Sequence, residues 1–240
     1  MAKVYVLQHH PVENLGTIAE ALEGAALAWQ YIRIYEGRPV PKEMKGAGGL
    51  IVMGGPMAVY QAEQYPFLRD EMQLIEQAVT EELPVLGVCL GAQIVAAALG
   101  AKVTSNPAGK EIGWHPVTLS EAALEDRLWR GVAPTITPFH WHGDIFEVPT
   151  GAVSLASSEK TPCQGFRYGN SVYALQFHIE VTPDSVAAMA AAWPRELEKE
   201  KISAAEMIGA AAGRVPELEL LSDAIFGRWA GPIQQTLREN

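Results

Sequence analysis

Charge and cysteine are both scarce in this sequence. Only 19% of its 240 residues are charged, and cysteine occurs twice, at Cys89 and Cys163. Without a secretory signal at MAKVYVLQHH, two cysteines in a reducing compartment argue against a structural disulfide, so each thiol is weighed alone. No apolar run approaches the roughly 18 residues that a membrane span needs, and the expectation is a soluble, cytoplasmic chain with no membrane partner. Basic residues are outnumbered, 18 Lys and Arg against 28 Asp and Glu, giving a formal charge of −10 that repels a phosphate backbone. Nucleic acid is therefore not an expected partner. Three motifs are missing as well: a phosphate-binding Gly-x-x-x-x-Gly-Lys-Ser/Thr loop, a Gly-x-Gly-x-x-Gly fingerprint after a strand, and His-Glu-x-x-His. Neither nucleotide nor zinc-peptidase chemistry has a motif here.

What the sequence has in quantity is apolar surface, with 48% hydrophobic residues, enough for a packed core. Short β-branched runs alternate with helical patterns. This predicts an α/β fold, a mostly parallel central sheet with helices on both faces. Strands are expected at Val4–Gln8, Ile32–Tyr35, Gly49–Met53, Pro84–Val88, Val117–Leu119, Val153–Ala156 and Val172–Phe177. Helices are expected after Asn14 to about Leu22, from Pro66 with an apolar stripe through Leu68, Met72, Ile75, Val79 and Leu83, over Leu90–Leu99 ending at Gly100, and near Leu124–Trp129. From Pro194 the composition changes to a charged and then alanine-rich helical pattern. The expected organisation is a domain over 1–193 and a C-terminal helical appendage over 194–240 packed on it.

Three segments carry chemistry, and each falls at the carboxyl end of an expected strand. Gly87-Val88-Cys89-Leu90-Gly91 sets a thiol between glycines at a strand-to-helix turn, the arrangement of a nucleophile elbow. The adjoining helix N-terminus favours a thiolate. The plain alternative is a buried cysteine packing as a small hydrophobe. Phe177-His178-Ile179-Glu180 puts an imidazole and a carboxylate two residues apart, on one face of a strand, where Glu180 can hold the tautomer of His178. A strand-end histidine beside a solvated glutamate is the alternative. Met53-Gly54-Gly55-Pro56 can present unobstructed backbone N–H groups to an oxyanion, or can be a simple turn.

Together, Gly-Gly-Pro, Gly-Val-Cys-Leu-Gly-Ala-Gln and Leu-Gln-Phe-His-Ile-Glu resemble, in order and spacing, the class I, triad-type glutamine amidotransferases. The likeness runs from about Val4 to Pro183 and is nearest to the amidotransferase module of GMP synthetase. The resemblance implies Cys89 as nucleophile, His178 as base and acid, and Glu180 as the orienting carboxylate. It implies an oxyanion hole at the N–H groups of Gly55 and Leu90, and a substrate pocket at Gly54, Gln93, Trp141, His142 and Asp144. Glutamine or another γ-glutamyl amide would be the substrate, no cofactor would be needed, and ammonia would pass to a separate synthetase subunit. A free-standing γ-glutamyl peptidase or hydrolase and a catalytically silent regulatory module remain alternatives. The chain departs from the family's usual pattern at Ile179, where Pro is common, and at Trp141, where a small residue often stands.

The other candidates read more plainly. His9 and His10 follow the first strand, which leaves two readings: a place near the site, or the solvated position usual for loop histidines. His140 and His142 form His-x-His, but no third ligand at zinc-like spacing accompanies them, and no metal is expected. Cys163 reads as a loop thiol.

Overall fold

The computed structural model describes the backbone of residues 3–239, with side chains through residue 234. In chain order the elements are β1 (Lys3–Gln8), α1 (Ile18–Gly24), β2 (Ala28–Arg33), β3 (Ala47–Val52), α2 (Phe67–Thr80), β4 (Val85–Val88), α3 (Leu90–Ala98), β5 (Val103–Ser105), β6 (Glu111–Trp114), β7 (Val117–Leu119) and α4 (Glu121–Leu124). They continue with β8 (Thr135–Ile136), β9 (Phe139–His142), β10 (Asp144–Phe146), β11 (Ala152–Ser157), β12 (Gly165–Tyr168), β13 (Val172–Leu175), α5 (Pro183–Ala192), α6 (Pro194–Glu200) and α7 (Ala204–Glu239).

A nine-stranded sheet in the order β2-β1-β3-β4-β13-β12-β11-β7-β8 forms the centre. The pairings from β2 across to β13 are parallel, and those from β13 to β8 are antiparallel. The parallel half explains the apolar runs. β4 is buried at every position, as is β3 from Gly49 onward, because helices cover both faces. Two buried clusters lie on opposite sides of the sheet. One includes Ile51, Leu86 and Val88 with α1, α5 and α7; the other includes Leu50, Val52 and Val85 with α2 and α3. The long α7 enters the first cluster through Leu218, Ile225, Phe226, Trp229 and Ile233, and a buried Thr17–Ser222 hydroxyl pair joins it to the start of α1. No helix among the described residues is long and apolar enough to cross a membrane.

Several element boundaries differ from expectation, each for a local reason. The strand expected at Ile32–Tyr35 runs instead over Ala28–Arg33, and Ile34–Glu36 is a 3-10 turn. As the edge strand, β2 pairs only with β1, so it ends opposite Gln8, where β1 ends. The helix expected near Leu124–Trp129 is a single turn over Glu121–Leu124, capped by Ser120. Beyond it the Asp126 carboxylate accepts from the Leu128 N–H, Arg167 and the Tyr173 hydroxyl, holding a non-helical turn. β13 stops at Leu175, two residues short of Phe177.

Candidate functional site

β1 leads to β2 on one side of the sheet and, by way of β2, to β3 on the other, so the strand order reverses at β1 and β3. Open α/β sheets bind ligands at the carboxyl ends of strands beside such a switch. The segments after β1, β3, β4 and β13 all meet there.

Cys89 stands between β4 and α3 with φ 54° and ψ −111°, a strained conformation for a residue with a side chain. Its neighbours make the turn possible. A Cβ on Gly91 would lie 1.9 Å from the Val52 carbonyl oxygen, and one on Gly87 would lie 2.6 Å from the Gly91 oxygen. Close backbone approach, rather than unusual torsion, is what demands glycine at both positions. The Cys89 Sγ lies 3.5 Å from the Trp141 carbonyl oxygen, to which it can donate, and the Leu90 N–H points at the sulfur from the first turn of α3. The helix terminus was expected to favour a thiolate; burial instead dominates and pushes the thiol up, while His178 and the Leu90 N–H pull the other way and Glu13 adds to the rise.

His178 lies beyond the end of β13, not on it. A two-way backbone bridge with Phe139, at 2.8 and 3.1 Å, holds it in place, while the Thr17 N–H binds the Glu180 carbonyl oxygen at 3.0 Å. The imidazole is fully buried, with Nδ1 2.6 Å from Glu180 Oε1. Nε2 has no hydrogen-bond partner among the described residues, and the Cys89 thiol is a neighbour of the ring that helps to raise it. Burial opposes protonation of this ring, yet the Glu180 carboxylate and the cysteine outweigh it and hold His178 well above its ordinary value. Phe177 and Ile179 are buried behind the pair.

The turn after β3 carries Gly54 and Gly55. Beneath it lies His9, 1% exposed, which takes the nearer of its two expected places, beside the site rather than in solvent. Its Nδ1 is 3.1 Å from the Gly54 carbonyl oxygen, and its Nε2 is 3.0 Å from both oxygens of Glu71. Glu71 is itself fully buried inside the apolar face of α2. Glu13, also buried, brings a second carboxylate to the site. It presses on Gly54, where a Cβ would meet its Oε2 at 2.3 Å. Burial raises the Glu13 carboxyl; His178 and His9 lower it and Glu180 raises it further.

A cavity of about 460 Å³ opens over these residues. Of the sequence candidates, Gly55, Cys89, Leu90, Gln93, Trp141, His142 and Asp144 line it; Gly54, His178 and Glu180 do not. Gln93 is buried and donates to the Asp144 carbonyl oxygen at 3.3 Å and to Gln176 Oε1 at 3.2 Å. Trp141 forms a wall with Trp193, their rings 5.4 Å apart, and its indole N–H donates to Glu196 at 2.8 Å. Glu196 also pairs with Lys110, which brings a cation to the rim. Sequence reasoning missed Glu13, Lys110, Trp193 and Glu196. Glu13 left one usable signal, since it follows β1 at the same strand edge as the other segments.

Behind the cavity, Glu111, His140 and His142 bring ligand atoms within 4.8 Å of one another, the grouping in this region with metal-like spacing. The Glu111 oxygens already accept from Ser158, Thr161 and Gln164 at 2.6 to 2.9 Å, so a hydrogen-bond network accounts for the cluster. Burial lowers His142 to about 4, partly offset by Glu111, which leaves its imidazole neutral near pH 7. Cys163 lies, as expected, in a loop, between β11 and β12; it is 3% exposed and within donating distance of the Gly165 carbonyl oxygen, at 3.5 Å.

A cysteine at a strand-to-helix elbow, backed by a histidine–carboxylate pair in an α/β sheet, is an arrangement that can support nucleophilic thiol chemistry. The sequence matches the family described as Glutamine amidotransferase class-I over residues 12–189, and the chain belongs to that family. It is 36% identical over 190 residues to the glutamine amidotransferase-like protein YfeJ of Salmonella typhimurium, covering 78% of this chain and 79% of that one. It is 31% identical over 153 residues to the glutamine-hydrolyzing GMP synthase of Porphyromonas gingivalis, covering 63% of this chain but 28% of that longer protein. The crystal structure of a glutamine amidotransferase from Thermotoga maritima superposes with a TM-score of 0.87 at 33% identity, over 95% of this chain and 98% of that one.

Proposed function

We propose that the chain hydrolyses the side-chain amide of glutamine through a thioester on Cys89. The observation that carries this reading is the position of His178, its Nδ1 bound to Glu180 and its Nε2 left to the Cys89 thiol. His178 is the proton carrier of choice over His142, whose value of about 4 makes it too weak a base for work near pH 7.

In the first half-reaction Sγ, its proton taken by His178 Nε2, bonds to the amide carbon, and the carbonyl electron pair moves onto oxygen. The N–H groups of Gly55 and Leu90 receive that oxyanion. As the oxyanion collapses, the C–N bond breaks, His178 protonates the leaving nitrogen, and ammonia departs from a γ-glutamyl thioester. Water then attacks the thioester carbon with His178 again as base, the C–S bond breaks, and glutamate leaves. Glu180 holds the Nδ1–H tautomer and stabilises the cation at each transfer. Gln93, Asp144 and the Lys110–Glu196 pair offer polar groups for the amino-acid end of the substrate.

Ammonia would be delivered to an acceptor on another chain. Support comes from the GMP synthase relative, most of whose length lies outside the matched part. Met57 and Tyr60 line the same cavity as Cys89, surface that a substrate larger than glutamine could use, which supports a γ-glutamyl peptidase or hydrolase as the second reading. Steady-state assay against glutamine and a panel of γ-glutamyl peptides separates them. A kcat/KM higher for glutamine supports the first, a higher value for peptides supports the second, and turnover of neither contradicts both.

A further inference from the structure

The peptide joining Gly54 to Gly55 is gripped from behind. The Gly54 carbonyl oxygen can only accept, so the His9 Nδ1 that lies 3.1 Å away must carry a hydrogen and donate it. On the far side of the ring, Nε2 faces both Glu71 oxygens at 3.0 Å, in a setting with no solvent exposure on either side chain. Burial alone would strip the second proton from the ring, but Glu71, assisted by the Gly54 carbonyl and by Glu13, holds His9 above its ordinary value. A protonated His9 thus satisfies both acceptors at once.

The consequence follows from peptide geometry. There is no cis peptide among the described residues, and in a planar trans peptide the C=O and the next N–H point in opposite directions. Holding the Gly54 C=O toward His9 therefore turns the Gly55 N–H away from it. Gly55 lines the cavity with Cys89 and Leu90 on that open side. The fit is close: a Cβ on Gly55 would come within 2.7 Å of the His9 Cβ and 2.9 Å of the Leu90 Cδ2.

We infer that His9, oriented by Glu71, is a positioning residue that locks the Gly54–Gly55 peptide with its N–H facing the reacting carbonyl and, as a cation, polarises that peptide into a stronger donor. The inference rests on the reading of Cys89 as nucleophile. A donor that meets the oxyanion but not the ground state acts on kcat and spares KM.

The test uses the full chain with His9→Phe, His9→Asn and Glu71→Gln, and two readouts. Glutamine hydrolysis develops an oxyanion; alkylation of Cys89 by iodoacetamide is a displacement at saturated carbon and develops none. Losing an oxyanion donor costs about 10²- to 10³-fold in kcat, so His9→Phe should lose about 10²-fold with KM and alkylation rate changed by less than about threefold. His9→Asn keeps a donor near the Gly54 oxygen without the charge and should lose less kcat than His9→Phe, as should Glu71→Gln. Should His9→Phe fold poorly by thermal melting, the Asn and Gln variants carry the test. Parental kcat in all three variants overturns the inference, as does an equal fall in hydrolysis and alkylation, or an Asn variant no better than Phe. Parental hydrolysis by Cys89→Ala would instead sink the nucleophile reading beneath it.

Discussion

Glu180 Oε1 lies 2.6 Å from His178 Nδ1, in a pair with almost no exposure to solvent. The carboxylate is a principal reason that the ring holds its proton against burial. A competent Cys89–His178 pair must carry one proton fewer than the fully protonated pair, so activity falls as pH drops through the pair's lower apparent value. With His178 raised, the acid limb of kcat/KM is expected above pH 6.5. Glu180→Gln removes the charge that raises the ring, so the limb should move to lower pH while turnover falls by up to about 10⁴-fold, the loss seen for the comparable change in a serine triad. A pH–rate profile of parent and variant checks both signs, and an unmoved limb would remove Glu180 from the account.

Glu13 should act on the thiol in the opposite sense to His178. Its carboxylate raises the Cys89 value, after burial. Glu13→Gln is expected to shift the pH dependence of Cys89 alkylation to lower pH; a midpoint that stays put would show that the carboxyl is already neutral beside Gly54, and one that rises would contradict its effect on the thiol.

Gly91 is set by sterics alone. A Cβ would lie 1.9 Å from the Val52 carbonyl oxygen, and both partners are backbone, so neither can swing aside. Gly91→Ala should cost at least the roughly 1–3 kcal/mol of core overpacking and displace the Cys89 turn. Denaturant unfolding measures the loss; a variant as stable as the parent would mean that α3 can slide away from β3.

The parts of this site that were legible in the sequence are those whose residues lie next to each other in the chain. Cys89 with its two glycines, His178 with Glu180, and Gly54 with Gly55 each announce a local geometry, and the apolar runs of the parallel strands place all three at one sheet edge. His9 and Glu71 lie 62 residues apart and had no such signal jointly. One clue was present: Glu71 falls three residues after Leu68 and four before Ile75, on the buried stripe of α2, where an acid needs a partner. In the antiparallel half of the sheet the strands at Val117–Leu119 and Val153–Ala156 were legible, whereas β8 and β12, with two and four residues, were too short for alternation to emerge. The short turn in place of a helix at Leu124–Trp129 depended on Asp126 meeting Arg167 and Tyr173 from distant strands.

The central claim is that Cys89 carries the γ-glutamyl group. Incubating the chain with glutamine, quenching in acid and mapping peptides by mass spectrometry tests it directly, with Cys163 as the internal control since it too is a buried free thiol. The expected result is a γ-glutamyl thioester on the Cys89 peptide, absent from Cys163 and lost in Cys89→Ala. Glutamine consumed with acyl groups on Cys163, or with hydrolysis persisting in Cys89→Ala, would contradict it.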